Sequence, residues 1–195
     1  MSKAQDTRMM ILEKAAELIY RKSFQATSID EIIATTAVTK GALFYHFPNK
    51  DEMGLAIINE LMYPGFIPFI KTSLYRTGEI HKDLYGMMKD LLLKMPTVKI
   101  NYGCPVFNLI EEMAPLNKPF LKALSRIIKE WQQEIEKAIR KAQVDGQLNT
   151  RHDPKAIAMY ISANYGGIRN LGKIFGEEAY TSFLKAYKKY INQLD

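Results

Sequence analysis

An all-α fold is predicted by two features of the sequence: apolar residues recur at helical spacing nearly everywhere, and no stretch alternates with period two for long enough to argue a sheet. With 195 residues and 47% hydrophobic content, the chain can bury a sizeable core, as one domain or two small ones.

The first helix takes its buried face from Ile11, Leu12, Ala15, Leu18 and Ile19 and turns Arg8, Lys14, Glu17 and Arg21 toward solvent. Thr27 or Ser28 then caps a short helix carrying Ile29, Ile32 and Ile33, and Glu31, three positions after Ser28, suits a capping box. Beyond Thr36-Ala37-Val38 a third short helix runs from about residue 39 to 46 and closes at Phe47-Pro48-Asn49. Asn49 suits the cap of a fourth helix, with Asp51 and Glu52 in its first turn, where the helix dipole favours anions. The stretch Met62-Tyr63-Pro64-Gly65-Phe66-Ile67-Pro68 is expected to break that helix, because proline lacks a backbone donor and crowds the preceding turn. Further helices are predicted at about 78–95, 104–113, 119–144, 153–174 and 177–194. Pro96, Gly103-Cys104-Pro105, Pro119, Asp145-Gly146 and Gly176 punctuate them.

Composition excludes several classes of protein. The N-terminus enters an amphipathic pattern without the apolar run of a signal peptide, and no later apolar run approaches the ~18 residues of a membrane span. A soluble, cytoplasmic protein without a membrane partner is expected. Cys104 is the single cysteine, so no intramolecular disulfide can form, and no Cys/His cluster has metal-ligand spacing. Neither a metal nor a cofactor is expected. The net charge of +6 and pI near 9.2 suit a polyanionic partner, yet residues 1–50 hold seven cations against five anions, so bulk charge does not identify one.

The arrangement of the first three helices is more informative. Two short helices joined by a three- to four-residue turn and braced by a preceding helix are the parts of a helix-turn-helix module. Three ordinary core helices would share the pattern. The second short helix offers Thr39, Lys40, Tyr45 and His46 at its exposed positions, all able to reach phosphates or base edges. Gly41 would let the backbone approach a phosphate, while Leu43 and Phe47 face inward and seat the helix.

At these residues the chain resembles a known family. The segments Thr27-Ser28-Ile29-Asp30-Glu31-Ile32 and Val38-Thr39-Lys40-Gly41-Ala42-Leu43-Phe44-Tyr45-His46-Phe47-Pro48-Asn49-Lys50-Asp51-Glu52-Met53 look like the signature of the TetR family of one-component regulators. The segment Gly103-Cys104-Pro105-Val106-Phe107-Asn108-Leu109 resembles a turn of one of its subgroups. The resemblance implies a helix-turn-helix DNA-binding domain over residues 1–50 and a helical ligand-binding and dimerisation domain over 51–195. It implies a homodimeric repressor, not an enzyme, released from a near-palindromic operator on double-stranded DNA by a small, mostly apolar effector. Thr27 would then bind a phosphate at the start of the second helix, Thr39, Lys40, Gly41, Tyr45 and His46 would contact DNA, and Lys50 would hold the backbone. Two departures stand out: Ala37 occupies a turn position where the family often has glycine, and Phe44 one where a tyrosine commonly meets a phosphate.

After residue 53 the chain is rich in methionine and aromatic side chains, which read as a filled core and, by the resemblance, as the walls of a ligand cavity. Ala156, Met159, Ala163, Gly166, Gly167 and Asn170 place small residues along one helix, and Tyr180, Phe183, Leu184, Tyr187, Ile191 and Leu194 form a stripe on the last. Together they suit an isologous four-helix interface, or packing within one subunit. Two other readings are a ligand-independent DNA binder and an enzyme using Cys104 with His81 or His152, for which no orienting partner or oxyanion site is visible.

Overall fold

The computed structural model describes residues 2–95 and 98–194; Pro96, predicted as a helix stop, lies outside them. Among the described residues all regular structure is helical: α1 (Lys3–Lys22), α2 (Ile29–Ala34), α3 (Lys40–His46), α4 (Lys50–Ala56), a π-helical segment (Ile57–Met62) and α5 (Tyr63–Leu74). Then follow α6 (Ile80–Leu93), a 3-10 turn (Ile100–Tyr102), α7 (Pro105–Met113), α8 (Lys118–Val144), α9 (Pro154–Phe175) and α10 (Glu177–Ile191). The chain forms two compact units, one of residues 1–65 with 105–125, the other of residues 66–104 with 126–195.

In the first unit Ile11, Leu12, Ala15 and Ile19 of α1 meet Ile32 of α2 and Leu43 of α3 in a closed core. Each of the isoleucine and leucine side chains stabilises the unit by about 1.5–3 kcal/mol on burial, and the Ala15 methyl by less. The caps follow the sequence: Ser28 and Glu31 form the reciprocal capping box of α2, and Asn49 accepts the Glu52 amide at 2.8 Å to start α4. Gly54 lets α4 approach an edge-to-face pair of rings, Phe24 and Phe120, whose centroids are 5.0 Å apart. A Cβ there would lie 2.5 Å from Phe120 and 2.6 Å from Phe24.

The fourth helix does not break at Pro64. Helical structure is continuous from Lys50 to Leu74, with wide π turns over Ile57–Met62 immediately before the proline. Such turns already displace the i to i−4 ladder, so the missing proline donor and the ring crowding are absorbed there. By length and composition this stretch could cross a membrane, which counting uninterrupted apolar runs does not reveal. It is a core helix instead: Met53, Ile57, Ile58, Phe66, Ile67, Ile70 and Leu74 are buried, and Glu60 forms a two-point ion pair with Arg8.

In the second unit Trp131 of α8 is enclosed, with the rings of Phe66 and Tyr165 edge-on at 5.3 and 5.4 Å. The buried Asp83 carboxylate closes the turn before α6, accepting the Thr77 amide at 2.9 Å and the Gly78 amide at 3.2 Å. Asp90 is held below the ordinary carboxylate range: burial pushes it up, but hydrogen bonds from Lys94 and Arg76 outweigh that. At Gly172 the α9 backbone comes within reach of the Tyr180 ring, and a Cβ would sit 2.4 Å from it.

The stripe on the last helix serves this subunit. Tyr180, Leu184, Tyr187 and Ile191 are buried where α10 packs on α9 and α6, Leu194 just beyond the helix is buried as well, and Phe183 is half-buried, so the stripe presents little surface to a second copy. An apolar row left outside is on α9: Met159, Tyr160, Leu171, Ile174 and Phe175, with Ala156 before them and Ala163 and Gly167 between them. Ile174 is 74% exposed and Phe175 62%.

Candidate nucleic-acid interface

The geometry of α3 follows from how it is seated. Leu43 and Phe47 are buried, which fixes the rotation of this seven-residue helix and turns the remaining side chains outward. Thr39 caps it, its hydroxyl accepting the Ala42 amide at 3.2 Å while keeping its own proton to donate. Lys40 is exposed and paired at 3.0 Å with the exposed Asp30. A Cβ on Gly41 would meet nothing within 4 Å, so nothing inside the protein requires glycine there and the backbone is open to an outside group. Tyr45 is 80% exposed, its ring edge-on to the half-buried His46 at 5.1 Å. Phe44, at 39% exposure, borders the same row.

Thr27 and Lys50 are placed differently from these. Thr27 is 0% exposed, and its hydroxyl donates to the Ser23 carbonyl at 2.7 Å. Lys50 directs its ammonium into the α1–α2 turn, donating to the carbonyls of Phe24 at 2.9 Å and Thr27 at 3.0 Å and lying 4.7 Å from the centre of the Phe24 ring.

The same turn is gripped from a second side. The Glu112 carboxylate of α7 accepts the amides of Phe24 at 2.8 Å and Gln25 at 2.7 Å. An anion on the exposed amides and a cation on the carbonyls complement the backbone dipoles of one short loop. Ser23 opens that loop with φ +81 and ψ 161, a conformation that favours glycine, and its amide closes α1 on the Ile19 carbonyl at 2.8 Å. Neither Glu112, 88 residues away in sequence, nor Ser23 carries a signal that sequence periodicity could find. The Arg8–Glu60 pair, with Arg8 also 4.8 Å from the centre of the Phe47 ring, braces α1 and the seat of α3 in the same way.

Glu31 is the strongly shifted group here. The Lys22 ammonium, and then the Ser28 amide, hold its carboxyl down to about 2.

The chain matches the family model of bacterial regulatory proteins of the tetR family over residues 11–57. It also matches the tetracyclin repressor-like C-terminal domain over 82–187, more than half its length. It belongs to the TetR family. A TetR-family chain with this module is a DNA-binding transcriptional regulator, not an enzyme. An HTH-type transcriptional regulator of Lactococcus lactis is 32% identical over 130 residues, covering 67% of this chain and 66% of the relative. The transcriptional regulator AcuR of Cereibacter sphaeroides is 28% identical over 152 residues, covering 76% and 68%. The matched part thus spans about two thirds of these relatives' lengths. Among solved structures, a TetR-family regulator of Cytophaga hutchinsonii superposes with a TM-score of 0.86 at 20% identity, covering 100% of this chain and 98% of that one. The reduced form of Escherichia coli NemR superposes at 0.82 and 18%, covering 96% of both. At that identity these structures speak for the fold.

Within the TetR frame, Cys104 is a buried side chain beside the Tyr165 hydroxyl, and the enzyme reading of it lapses with the family assignment.

Proposed function

We propose that this regulator is a homodimeric repressor that acts in the cytoplasm and leaves a near-palindromic operator when a small, mostly apolar effector binds. Residues 1–50 read the DNA, and the chain from 51 to 195 carries effector and partner. The observation that supports this reading best is the row Thr39, Lys40, Gly41 and Tyr45 on α3, exposed together on a helix whose other face is locked by Leu43 and Phe47. Tyr45 and His46 offer hydrogen-bonding tips to the groove, and Lys40 exchanges Asp30 for a phosphate. Thr27 and Lys50 contribute from behind: the first pins the turn before α2, and the second fills its carbonyls, so the recognition helix is held in register on DNA.

The exposed apolar row of α9 supports the dimer, since an apolar strip of this kind is usually covered by a partner. Two recognition helices must then lie about one DNA turn, ~34 Å, apart. The groove of about 500 Å³ lined by Tyr85, Leu184, Lys185, Lys188 and Lys189 is open and basic, and it is not assigned to the apolar effector.

The test is footprinting on selected genomic fragments, followed by titration of the operator with screened ligands. Two protected half-sites and release by a ligand are expected. One unpaired half-site overturns the dimeric reading, and operator affinity unmoved by any ligand that binds overturns induction.

A further inference from the structure

Arg169 of α9 is 1% exposed. Its guanidinium is bonded at 3.1 Å to the hydroxyls of Tyr165 and Tyr180, and it donates to the Leu91 carbonyl in the last turn of α6. The groups around it are neutral phenols, the Cys104 thiol and one end of a helix dipole; no carboxylate among the described residues pairs with it. Guanidinium remains cationic at all ordinary pH, and a buried cation without a counter-ion is costly, since the helix end supplies only about half a charge. Three of its five N–H donors are accounted for by these bonds.

A second orphan lies on the far side of Tyr165. Trp131 is 0% exposed, packs edge-on against the Tyr165 ring at 5.4 Å, and its Nε1–H has no acceptor among the described residues. A buried donor left unmade costs about 1–3 kcal/mol. One phenol thus has an uncompensated cation at its hydroxyl and an unsatisfied donor beside its ring. Phe66 lies edge-on to Trp131, and Met87, a flexible and buried side chain, is one turn before Leu91 on α6.

We infer that the effector of this regulator is an apolar molecule bearing one carboxylate, and that it binds in the second unit with its anion on Arg169 and an acceptor within reach of the Trp131 indole. This rests on the induction reading above and narrows it from an apolar effector to an organic acid. The site is closed in this structure, so the acid enters only by parting the side chains around Tyr165. Binding and rearrangement are then a single event, which is what a ligand must cause to shift an equilibrium between two states.

Trp131 is the sole tryptophan, so its emission reports its own surroundings. The full-length protein is titrated with hexanoate and benzoate and, in parallel, with hexanamide and benzamide, which keep the shape and lose the charge. A saturable change in emission with the acids, at least ~10-fold weaker with the amides, is expected, because charge-assisted bonds to arginine are about twice as strong as neutral ones. The Arg169→Gln variant should abolish the preference for acid over amide, and Trp131→Phe, followed by thermal shift, should weaken both series. The acid-amide comparison on the unaltered protein decides the matter even where Arg169→Gln fails to fold. Equal responses to acid and amide, or no saturable response to either acid, overturn the inference. A second arm adds operator DNA: acid binding that depends on Arg169 yet leaves operator affinity unchanged keeps the anion site and overturns induction.

Discussion

Replacing Gly172 by alanine tests whether the buried arginine is held by close packing of α9 on α10. The new methyl would lie 2.4 Å from Cε1 of Tyr180, 2.9 Å from its Cζ and 3.0 Å from its hydroxyl oxygen. Carbon atoms rest at about 3.5–4.0 Å, so the ring must retreat by roughly 1 Å or more, and its bond to Arg169 goes with it. Overpacking of this kind costs about 1–3 kcal/mol, and the bond to a charged group about 1.5–3 kcal/mol. The gain from removing glycine from a helix offsets about 1 kcal/mol. The net loss is about 1.5–5 kcal/mol, or a fall of roughly 3–20 °C in melting temperature for a chain of this size. Gly86 of α6 is the matched control: a Cβ there meets nothing within 4 Å, so Gly86→Ala should raise stability by up to ~1 kcal/mol. Urea unfolding of the two variants beside the parent measures both. A Gly172→Ala protein as stable as the parent would refute the close-packing argument, whatever the control does.

Four further outcomes are expected. Ser23→Gly relieves a backbone conformation that favours glycine and should stabilise the protein by about 0.5–2 kcal/mol in thermal melts, despite the loss of the weak Ser23 bond to the Ala26 amide. Lys40→Ala should lower the slope of operator affinity against salt by about one, whereas Asp30→Asn, which removes the competing partner of Lys40, should strengthen binding to unrelated DNA; gel shifts across a salt series read both. Glu31 has its folded pKa depressed, so its support of α2 is complete above the ordinary glutamate range and is lost as pH falls from about 4.5 toward about 2; NMR titration of its carboxyl should show this, and a midpoint above 4 would not fit. Leu171→Glu with Ile174→Glu should yield a folded monomer in sedimentation, whereas Leu184→Glu should unfold the chain, because Leu184 is buried within the subunit.

Where local chemistry decides structure, the sequence could be read. Ser28, Asn49, Leu43 and Phe47 act within a few residues of themselves, and each lies where capping and periodicity put it. The stretch around Pro64 could not be read this way, since a proline predicts a break only if the preceding turns stay α-helical, and here they widen. The stripe on α10 was legible as an apolar face but not as to what covers it, since pattern alone does not distinguish a neighbouring helix from a second subunit. The inward turn of Lys50 and the burial of Thr27 depend on the α1–α2 loop, whose shape is set with the help of Glu112 from a distant helix. The cage of Arg169 is of the same long-range kind: Leu91, Tyr165 and Tyr180 come from three helices.

The composition of the first unit limits how this protein can be recombined. Residues 105–125 return to it late in the chain, bringing Glu112 to the Phe24 and Gln25 amides, Phe120 to the Phe24 ring and Asn117 to Asp51 at 3.0 Å. A DNA-reading head excised as one N-terminal fragment would leave those amides bare and an aromatic face wet. Chimeras that graft this head onto another sensor therefore need three splice points, and the first and third fall inside the Lys50–Leu74 helix and α8, where a junction must preserve helical phase. Exchange of specificity between relatives by a single crossover is accordingly disfavoured, and new operators are reached more readily by point changes along α3.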